Sequence, residues 1–306
     1  MTFLSLLAAL LLEQLQALRQ DNRAYLAFSR YAESLERQFN AGGYRHGVIA
    51  WALAVIPGVA VAVVVYQLLY ALSPLLGWIW NVAVLYLTMG FRQFSHHYTD
   101  VQQALRENDL VVARDRLGRW RRESVSEFNG NEIARVSIEE GLLASHRHVF
   151  GTMVWFVVLG AGGAALYRTC AMLAEQWGAR SDPESREFNR FAVRFFYWLD
   201  WAPARLTAGS FAVVGNFEDA IYCWRTQAQT WPGEAQGVIL ASGAGALGVR
   251  LGEPVHQYGT LLYRPELGAG DEADADLMQS AVGLIWRTLV LWMFLVFIVS
   301  IAYALG

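Results

Sequence analysis

Every positively charged side chain in this sequence is an arginine. The 306 residues include 24 Lys and Arg residues in total, and no Lys is present. A lysine-dependent phosphate loop, a kinase-type lysine contact and a lysine Schiff base are therefore excluded. A phosphate or carboxylate ligand would have to be held by Arg side chains, by backbone N–H groups or by a metal ion.

Two further patterns suggest chemistry, but each has a simpler explanation. His96-His97 and His146-Arg147-His148 resemble metal ligands, yet residues one or two positions apart do not share a helix face. No metal site is therefore predicted. Residues 243–248 spell GxGxxG, which marks a dinucleotide site only within a strand–helix–strand unit. Nothing nearby alternates strands with helices, so this motif is better explained by small residues that let helices pack closely.

The elements that position these residues are expected to be apolar helices. Hydrophobic residues make up 55% of the chain and charged residues 17%, and the mean hydropathy is +0.27. This composition excludes a disordered chain, and it is unlike an ordinary soluble domain, in which about 25% of residues are charged. The formal net charge of −3 argues against nucleic-acid binding. A lipid bilayer is the expected partner.

Long uncharged runs predict membrane spans. Residues 47–91 contain no charged side chain, and about 20 apolar residues are enough to cross a bilayer. This run predicts spans at about 48–71 and 76–91, with a turn at Ser73-Pro74. Two further runs predict spans at about 149–167 and 288–306. We therefore expect an all-α, polytopic integral membrane protein that forms a single domain over residues 1–306.

A polar helical segment, residues 92–148, separates the second and third predicted spans. Apolar residues at helical spacing predict one helix over 93–123. Residues 13–46 and 92–148 carry five and nine Arg, so the positive-inside rule places both on the cytoplasmic face of a bacterial inner membrane. The six Arg of residues 168–205 would then lie on the opposite face. A re-entrant element would resolve this conflict, and the short apolar runs 206–217 and 235–249 are candidates for buried, interfacial or re-entrant helices.

Three stretches resemble motifs of the CobD/CbiB family, whose members are membrane proteins of cobalamin biosynthesis. Residues 203–208, PARLTA, are similar to the PARLTA motif of that family. Residues 245–254, GALGVRLGEP, followed by Tyr258-Gly259, are similar to its AGALGVRLGGP and YG motifs. Residues 265–270, PELGAG, followed by Asp276-Leu277, resemble its PxIGxG and DI motifs.

The resemblance implies adenosylcobinamide-phosphate synthase activity, in which ATP activates a cobyric acid carboxylate that then forms an amide with aminopropanol or its phosphate. ATP and a divalent cation are needed only if this activity is retained. Where the family has ENTVDG, residues 143–148 read LASHRH. Divalent cations prefer carboxylate oxygens, so placing Arg147 there favours direct binding of an anion. The candidate catalytic carboxylates are Glu139, Glu140 and Glu175.

Lost acidic residues are also a feature of a sister group, AmpE, whose members are associated with β-lactamase induction. Residues 1–7, MTFLSLL, and residues 199–206, LDWAPARL, resemble that group. The main hypothesis is therefore a catalytically diverged, AmpE-like protein with a regulatory or sensory role in cell-wall or β-lactamase signalling. It would bind an anionic small molecule, a corrinoid or a protein partner. The alternative is a working cobinamide-phosphate synthase.

Four arginines are the preferred anion contacts, because a guanidinium binds a carboxylate or phosphate through two parallel hydrogen bonds. They are Arg147, Arg168, Arg205 and Arg250. Each of them could equally be an interfacial Arg that extends toward the headgroups. The other motif residues predicted to contact a ligand are Arg122, Pro203, Gly248 and Gly252.

Overall fold

The structure is almost entirely helical, so the predicted all-α class is confirmed. The computed structural model describes residues 2–16, 23–40, 42–179, 183–257 and 259–305. The α-helices in these ranges are α1 (Thr2–Leu15), α2 (Arg23–Phe39), α3 (Tyr44–Leu72), α4 (Pro74–Thr88), α5 (Phe91–Arg106), α6 (Leu110–Arg121), α7 (Gly130–Ser145), α8 (Gly151–Gly178), α9 (Pro183–Val214), α10 (Phe217–Gln227), α11 (Glu234–Leu247) and α12 (Ala275–Leu305).

Short irregular elements complete the described chain. A π-helical turn, His146–Phe150, joins α7 to α8, and a 3-10 turn, Ala228–Thr230, follows α10. The strands between α11 and α12 are β1 (Val249–Arg250), β2 (Val255–Gln257), β3 (Thr260–Leu262) and β4 (Asp271–Glu272). Strand β1 pairs in parallel with β4, and β2 pairs in antiparallel fashion with β3.

Three helical stretches of the described chain are long and apolar enough to cross a membrane. They are α3, the continuous run Gly130–Gly178 and residues Ala275–Ala302 of α12. Only 22% of the apolar window of α3 is buried inside the protein, so most of its apolar surface faces outward, as suits lipid rather than water. Helices α1 and α4 are apolar but shorter. The chain is therefore a membrane protein.

The helix boundaries differ from the sequence prediction in three places. The second predicted span, 76–91, corresponds to α4, whose 15 residues fall short of the roughly 20 that a bilayer core requires. The helix predicted over 93–123 is two helices, because Asn108 is left-handed (φ 56°) and Asp109 caps the second helix. Run 206–217 is not a separate helix, since α9 continues through it to Val214.

Two local predictions are confirmed. Ser73 caps α4 by accepting a hydrogen bond from Leu75 N at 3.3 Å, and Pro74 begins that helix. The GxGxxG motif lies in and just after α11 rather than between a strand and a helix. A Cβ added to Gly245 would lie 2.4 Å from Asp219 O. Small residues in this motif therefore allow α10 and α11 to pack closely.

The chain divides into two compact units. Unit 1 comprises residues 1–91, 147–202 and 296–306, and unit 2 comprises residues 92–146 and 203–295. In unit 1, α3 packs against α2, α4 and α8, and α1 packs against α4. Its core includes the fully buried Tyr167, Trp177 and Phe188. A Cβ on Gly47 would lie 2.0 Å from Phe188 O, so α3 packs directly against the backbone of α9.

In unit 2, α11 packs against α10 and α7, and α6 packs against α7. Two side chains of α5 hold the beginning of α12. Tyr98 Oη donates to Met278 O at 2.7 Å, and Gln102 Nε2 donates to Ala275 O at 3.1 Å. The segment that connects α11 to α12, residues 248–274, is called the glycine-rich loop below.

Candidate functional site

Helix α7 of unit 2 carries a row of buried charged residues. Glu132, Arg135 and Glu139 are three and four positions apart, so they share one helix face. Their exposed fractions are 4%, 7% and 4%. Charged residues are rarely this buried unless they are paired. The face must therefore meet groups of opposite charge.

The glycine-rich loop supplies those groups. Glu139 accepts hydrogen bonds from Gly252 N at 2.8 Å and from Arg264 Nη1 and Nη2 at 2.7 and 3.1 Å. Arg264 also donates to Gly252 O at 2.7 Å and to Glu253 O at 3.1 Å. One bidentate ion pair thus fastens the loop to α7, and the backbone of the loop completes the hydrogen bonding of both partners.

Glu132 fastens a second point of the loop. Its Oε2 accepts from Asn129 N at 2.7 Å while Asn129 Oδ1 accepts from Glu132 N at 2.9 Å, which forms a capping box at the start of α7. Its Oε1 accepts from His256 N at 3.1 Å and lies 2.8 Å from His256 Nδ1. Because an ionised carboxylate can only accept, we assign the proton of this imidazole to Nδ1.

Two arginines share the carboxylate of Glu253. Arg135 Nη1 donates to Glu253 Oε2, and Arg135 Nη2 donates to Pro254 O at 2.8 Å. Arg250 Nη1 lies 3.6 Å from Glu253 Oε1. Glu253 has a φ of 56°, a left-handed conformation that costs a residue with a Cβ about 1–2 kcal/mol. Such strain persists where the surroundings hold it and is concentrated at functional sites.

Arg250 is loosely paired. Its Nη2 lies 3.5 Å from Glu272 Oε1, and both of its ion pairs are longer than the about 2.7–2.9 Å of a charge-assisted hydrogen bond. Its Nε is buried and has no hydrogen-bond partner among the described residues. The side chain is nevertheless 35% exposed. An anion that reaches Arg250 would therefore gain short hydrogen bonds without breaking strong ones.

The strain at Glu253 makes a testable prediction. Glu253→Gly and Glu253→Ala both remove the shared carboxylate, but only Gly adopts the left-handed conformation without steric cost. We expect the Gly variant to be more stable than the Ala variant by about 1 kcal/mol. The midpoint of thermal unfolding in detergent measures the difference. At Glu187, which is exposed within α9, the same pair should show the reverse order, since Gly in a helix costs about 1 kcal/mol relative to Ala. Equal midpoints at position 253 would contradict the prediction.

The other predicted site residues of unit 2 have contacts of their own. Arg205 pairs with Glu234, and Glu140 Oε1 lies 3.5 Å from Arg121 Nε. Arg122 ends α6 with φ 58°, Gly248 ends α11 with φ 66°, and Pro203 lies within α9. The structure brings Glu139, Arg250 and Gly252 into one cluster.

Three predicted site residues belong to unit 1. Arg147 lies in the π-helical turn, which is a type of helix defect that is common at functional sites. Arg168 lies within α8, in electrostatic range of both Arg147 and the exposed Glu175. Close by, Tyr167 Oη donates to the buried Asp200 Oδ1 at 2.8 Å. Unit 1 thus places its two predicted arginines near each other.

Sequence reasoning missed Arg135, Glu253, Arg264 and Glu272. The spacing of Arg135 from its acidic neighbours on α7 was a usable signal. A second usable signal was the glutamate at position 253, because the family motif GGP that this stretch resembles has Gly there. Arg264 gave no local signal, because its partner Glu139 is 125 positions away.

Fold and site together define a class of protein. This is a helical membrane protein in which a glycine-rich loop is fastened by buried ion pairs to a charged helix face, next to a loosely paired arginine. Comparison with known proteins identifies the family. A family model described as CobD/Cbib protein matches residues 6–285, and the chain belongs to this family.

Curated relatives support the same assignment. A protein of Stutzerimonas stutzeri named Cobalamin biosynthesis protein CobD is 39% identical over 300 residues, covering 95% of each chain. One of Chromobacterium violaceum with the same name is 40% identical over 219 residues, covering 72% of this chain and 70% of its own. One of Mycobacterium tuberculosis with that name is 29% identical over 265 residues, covering 83% and 82%. No solved structure matches.

Proposed function

We propose that this chain acts in cobalamin biosynthesis as a cobinamide-phosphate synthase, which forms an amide between a cobyric acid carboxylate and aminopropanol or its phosphate at the expense of ATP. The family match over most of the chain carries this proposal. The three relatives described above are named for cobalamin biosynthesis and none for signalling. The order of the two sequence-based hypotheses is therefore reversed, and the regulatory, AmpE-like role is no longer the main one.

Arg250 is the residue that we propose first as a substrate contact. It lies in the GVRLGEP motif, and its guanidinium has long ion pairs and an unpartnered Nε. A carboxylate or phosphate of the substrate that reaches the exposed part of this side chain would form shorter hydrogen bonds with it than Glu253 and Glu272 do. Glu272 beside it is 63% exposed and receives a hydrogen bond from Asn131 Nδ2 at 2.7 Å. An amino alcohol phosphate has both charges that this pair would bind, with its phosphate on Arg250 and its ammonium group on Glu272.

The acidic candidates differ in what their surroundings allow. Both oxygens of Glu139 are occupied by Arg264 and by Gly252 N, so we assign Glu139 a positioning role. Glu140 and Glu175 are more exposed and remain the acidic candidates for a proton transfer. Arg147, Arg168 and Arg205 remain proposed anion contacts, with Arg205 already in an ion pair with Glu234.

A divalent cation would normally be required to screen the phosphates of ATP. Within the described ranges, no three His, Cys, Asp or Glu side chains come together as a preformed metal cage. The buried carboxylates Glu132 and Glu139 and the partly exposed carboxylate of Glu253 each pair with a His or Arg side chain. They do not fit a cation site, and we assign no residue to the metal.

The proposed location is the bacterial inner membrane, with several spans.

Growth complementation tests the proposal. A cobalamin-auxotrophic strain that lacks its own synthase of this family would receive the full chain and be supplied with cobyric acid and aminopropanol. We expect growth with the natural sequence. Arg250→Ala should reduce cobalamin yield at least tenfold, which is the effect of losing about 1.4 kcal/mol of substrate binding. The matched control is Arg119→Ala, because Arg119 is 77% exposed and pairs only one turn away with Asp115.

Two results would contradict the proposal. If the natural chain is present in the membrane and gives no growth, the synthase function is wrong and the regulatory hypothesis regains its place. If Arg250→Ala grows as well as Arg119→Ala, Arg250 is not the substrate contact. Immunoblots of the membrane fraction would establish that each variant is present in equal amount.

A further inference from the structure

Unit 2 contains a cavity of about 690 Å³, and Arg205 is the one proposed anion contact that lines it. It lies where the end of α9, the end of α10 and the beginning of α11 meet. Its wall includes two indoles and three charged groups, namely Trp224, Trp231, Arg205, Arg225 and Glu234. Small-molecule sites typically measure about 300–1,000 Å³ and combine apolar walls with a few placed polar groups. The cavity, which is open on one side, has the volume of such a site and combines aromatic with charged groups.

The aromatic wall is held in place by its neighbours. The guanidinium of Arg264 lies 5.7 Å from the centre of the Trp231 ring, a cation–π contact that fixes one face of the indole. Trp231 Nε1 donates to Gln236 Oε1 at 3.3 Å. Arg264 is itself fixed by its bidentate pair with Glu139. The ion pairs that fasten the glycine-rich loop therefore also orient one wall of this cavity.

The charged wall is suited to an anion. Arg205 is neutralised in part by Glu234. Arg225 makes no ion pair or hydrogen bond with any other side chain of the described residues, and it is exposed. Because the sequence contains no Lys, any phosphate must be held by arginines such as these or by backbone N–H groups. The net charge of the three groups is positive.

We propose that this cavity binds a nucleoside triphosphate, with the base stacked against Trp224 and the phosphates held by Arg225. Indoles stack on any base because every base has a π-face, and a guanidinium binds phosphate with two parallel hydrogen bonds. The inference rests on the proposed synthase, whose reaction consumes ATP. It adds where in the chain the nucleotide is held and which residues hold it.

Equilibrium dialysis of the full chain purified in detergent tests the site with three probes, namely ATP, adenosine and inorganic phosphate. Arg225→Gln should raise the Kd for ATP about tenfold and leave the Kd for adenosine unchanged, since adenosine has no phosphate. Trp224→Leu should weaken ATP and adenosine alike by about tenfold. Arg190→Gln is the matched control, because Arg190 is an exposed arginine of α9 paired with Glu187.

Three results would overturn the inference. The first is unchanged ATP binding in both Arg225→Gln and Trp224→Leu. The second is that inorganic phosphate competes with ATP but adenosine does not. The third is a loss of ATP affinity in Arg190→Gln that equals the loss in Arg225→Gln. Growth complementation separates this inference from the proposed function. If the natural chain supports growth but both variants bind ATP as tightly as the natural chain does, only this inference is wrong. If ATP binding changes in the variants as expected but the natural chain does not support growth, only the proposed synthase function is wrong.

Discussion

Glu139→Gln is expected to lower the free energy of unfolding by about 3–5 kcal/mol, because it leaves the guanidinium of Arg264 buried without a full counter-charge. The side chains of Glu139 and Arg264 are only 6% and 14% exposed, so water can replace only a small part of the lost interaction. The amide of Gln also has only one acceptor oxygen for the three hydrogen bonds that Glu139 now accepts. Thermal unfolding in detergent, followed by the loss of helical circular dichroism, measures the effect.

Glu140→Gln is the matched control for this substitution. Glu140 is the next residue of the same helix, but its side chain is 35% exposed and its oxygen lies 3.5 Å from Arg121. An ion pair of this kind contributes at most about 1 kcal/mol. If Glu139→Gln were no more destabilising than Glu140→Gln, the buried pair would not be what fastens the loop.

A double substitution separates a positioning role from a catalytic one. Glu139→Leu combined with Arg264→Met removes both charges, and replacing a buried ion pair by apolar residues is often neutral or stabilising. We expect this double variant to be more stable than Glu139→Gln alone. If it also regains cobalamin production, Glu139 acts by holding the loop. If it is stable but inactive, the carboxylate of Glu139 has a direct role that the pairing does not explain.

The helices could be predicted because their signals are local. A run without charges needs no knowledge of its partners, which is why α3, the apolar part of α8 and α12 were located. The same signal could not place the end of α4. The uncharged run continues to Phe91, but the helix ends at Thr88, and Met89 is extended with ψ 162°. When the residues on both sides of a helix end are apolar, composition alone does not show where the helix stops.

The site could be predicted only in part, because its contacts join distant positions. Arg250, Gly252 and Glu139 were each singled out, but nothing in the sequence showed that Gly252 N bonds to a carboxylate 113 positions away. The role of Arg264 depends on the same long-range packing of the loop against α7. A resemblance to family motifs identifies residues but does not show which of them are in contact.

Gly252→Ala is expected to lower the free energy of unfolding by more than about 3 kcal/mol, because a left-handed conformation and a steric clash add their costs. The φ of Gly252 is 73°, and an added Cβ would lie 1.9 Å from Pro265 O, a backbone atom that cannot rotate away. The left-handed conformation alone costs about 1–2 kcal/mol with a Cβ. Relieving the clash must also displace the paired backbone of Leu251 and Leu267, which bond at 2.7 and 2.9 Å. The unfolding midpoint and growth on cobyric acid with aminopropanol both measure the result.

Gly248→Ala isolates the part of this effect that comes from the clash. Gly248 has a similar φ of 66°, but a Cβ there would meet nothing within 4 Å, so only the conformational cost of about 1–2 kcal/mol applies. We expect Gly248→Ala to keep most of its activity, whereas Gly252→Ala should lose it, because Arg250 lies two residues from the displaced backbone. If the two variants lose the same amount of stability, the loop relieves the clash by moving. The close contact between Gly252 and Pro265 would then not position Arg250.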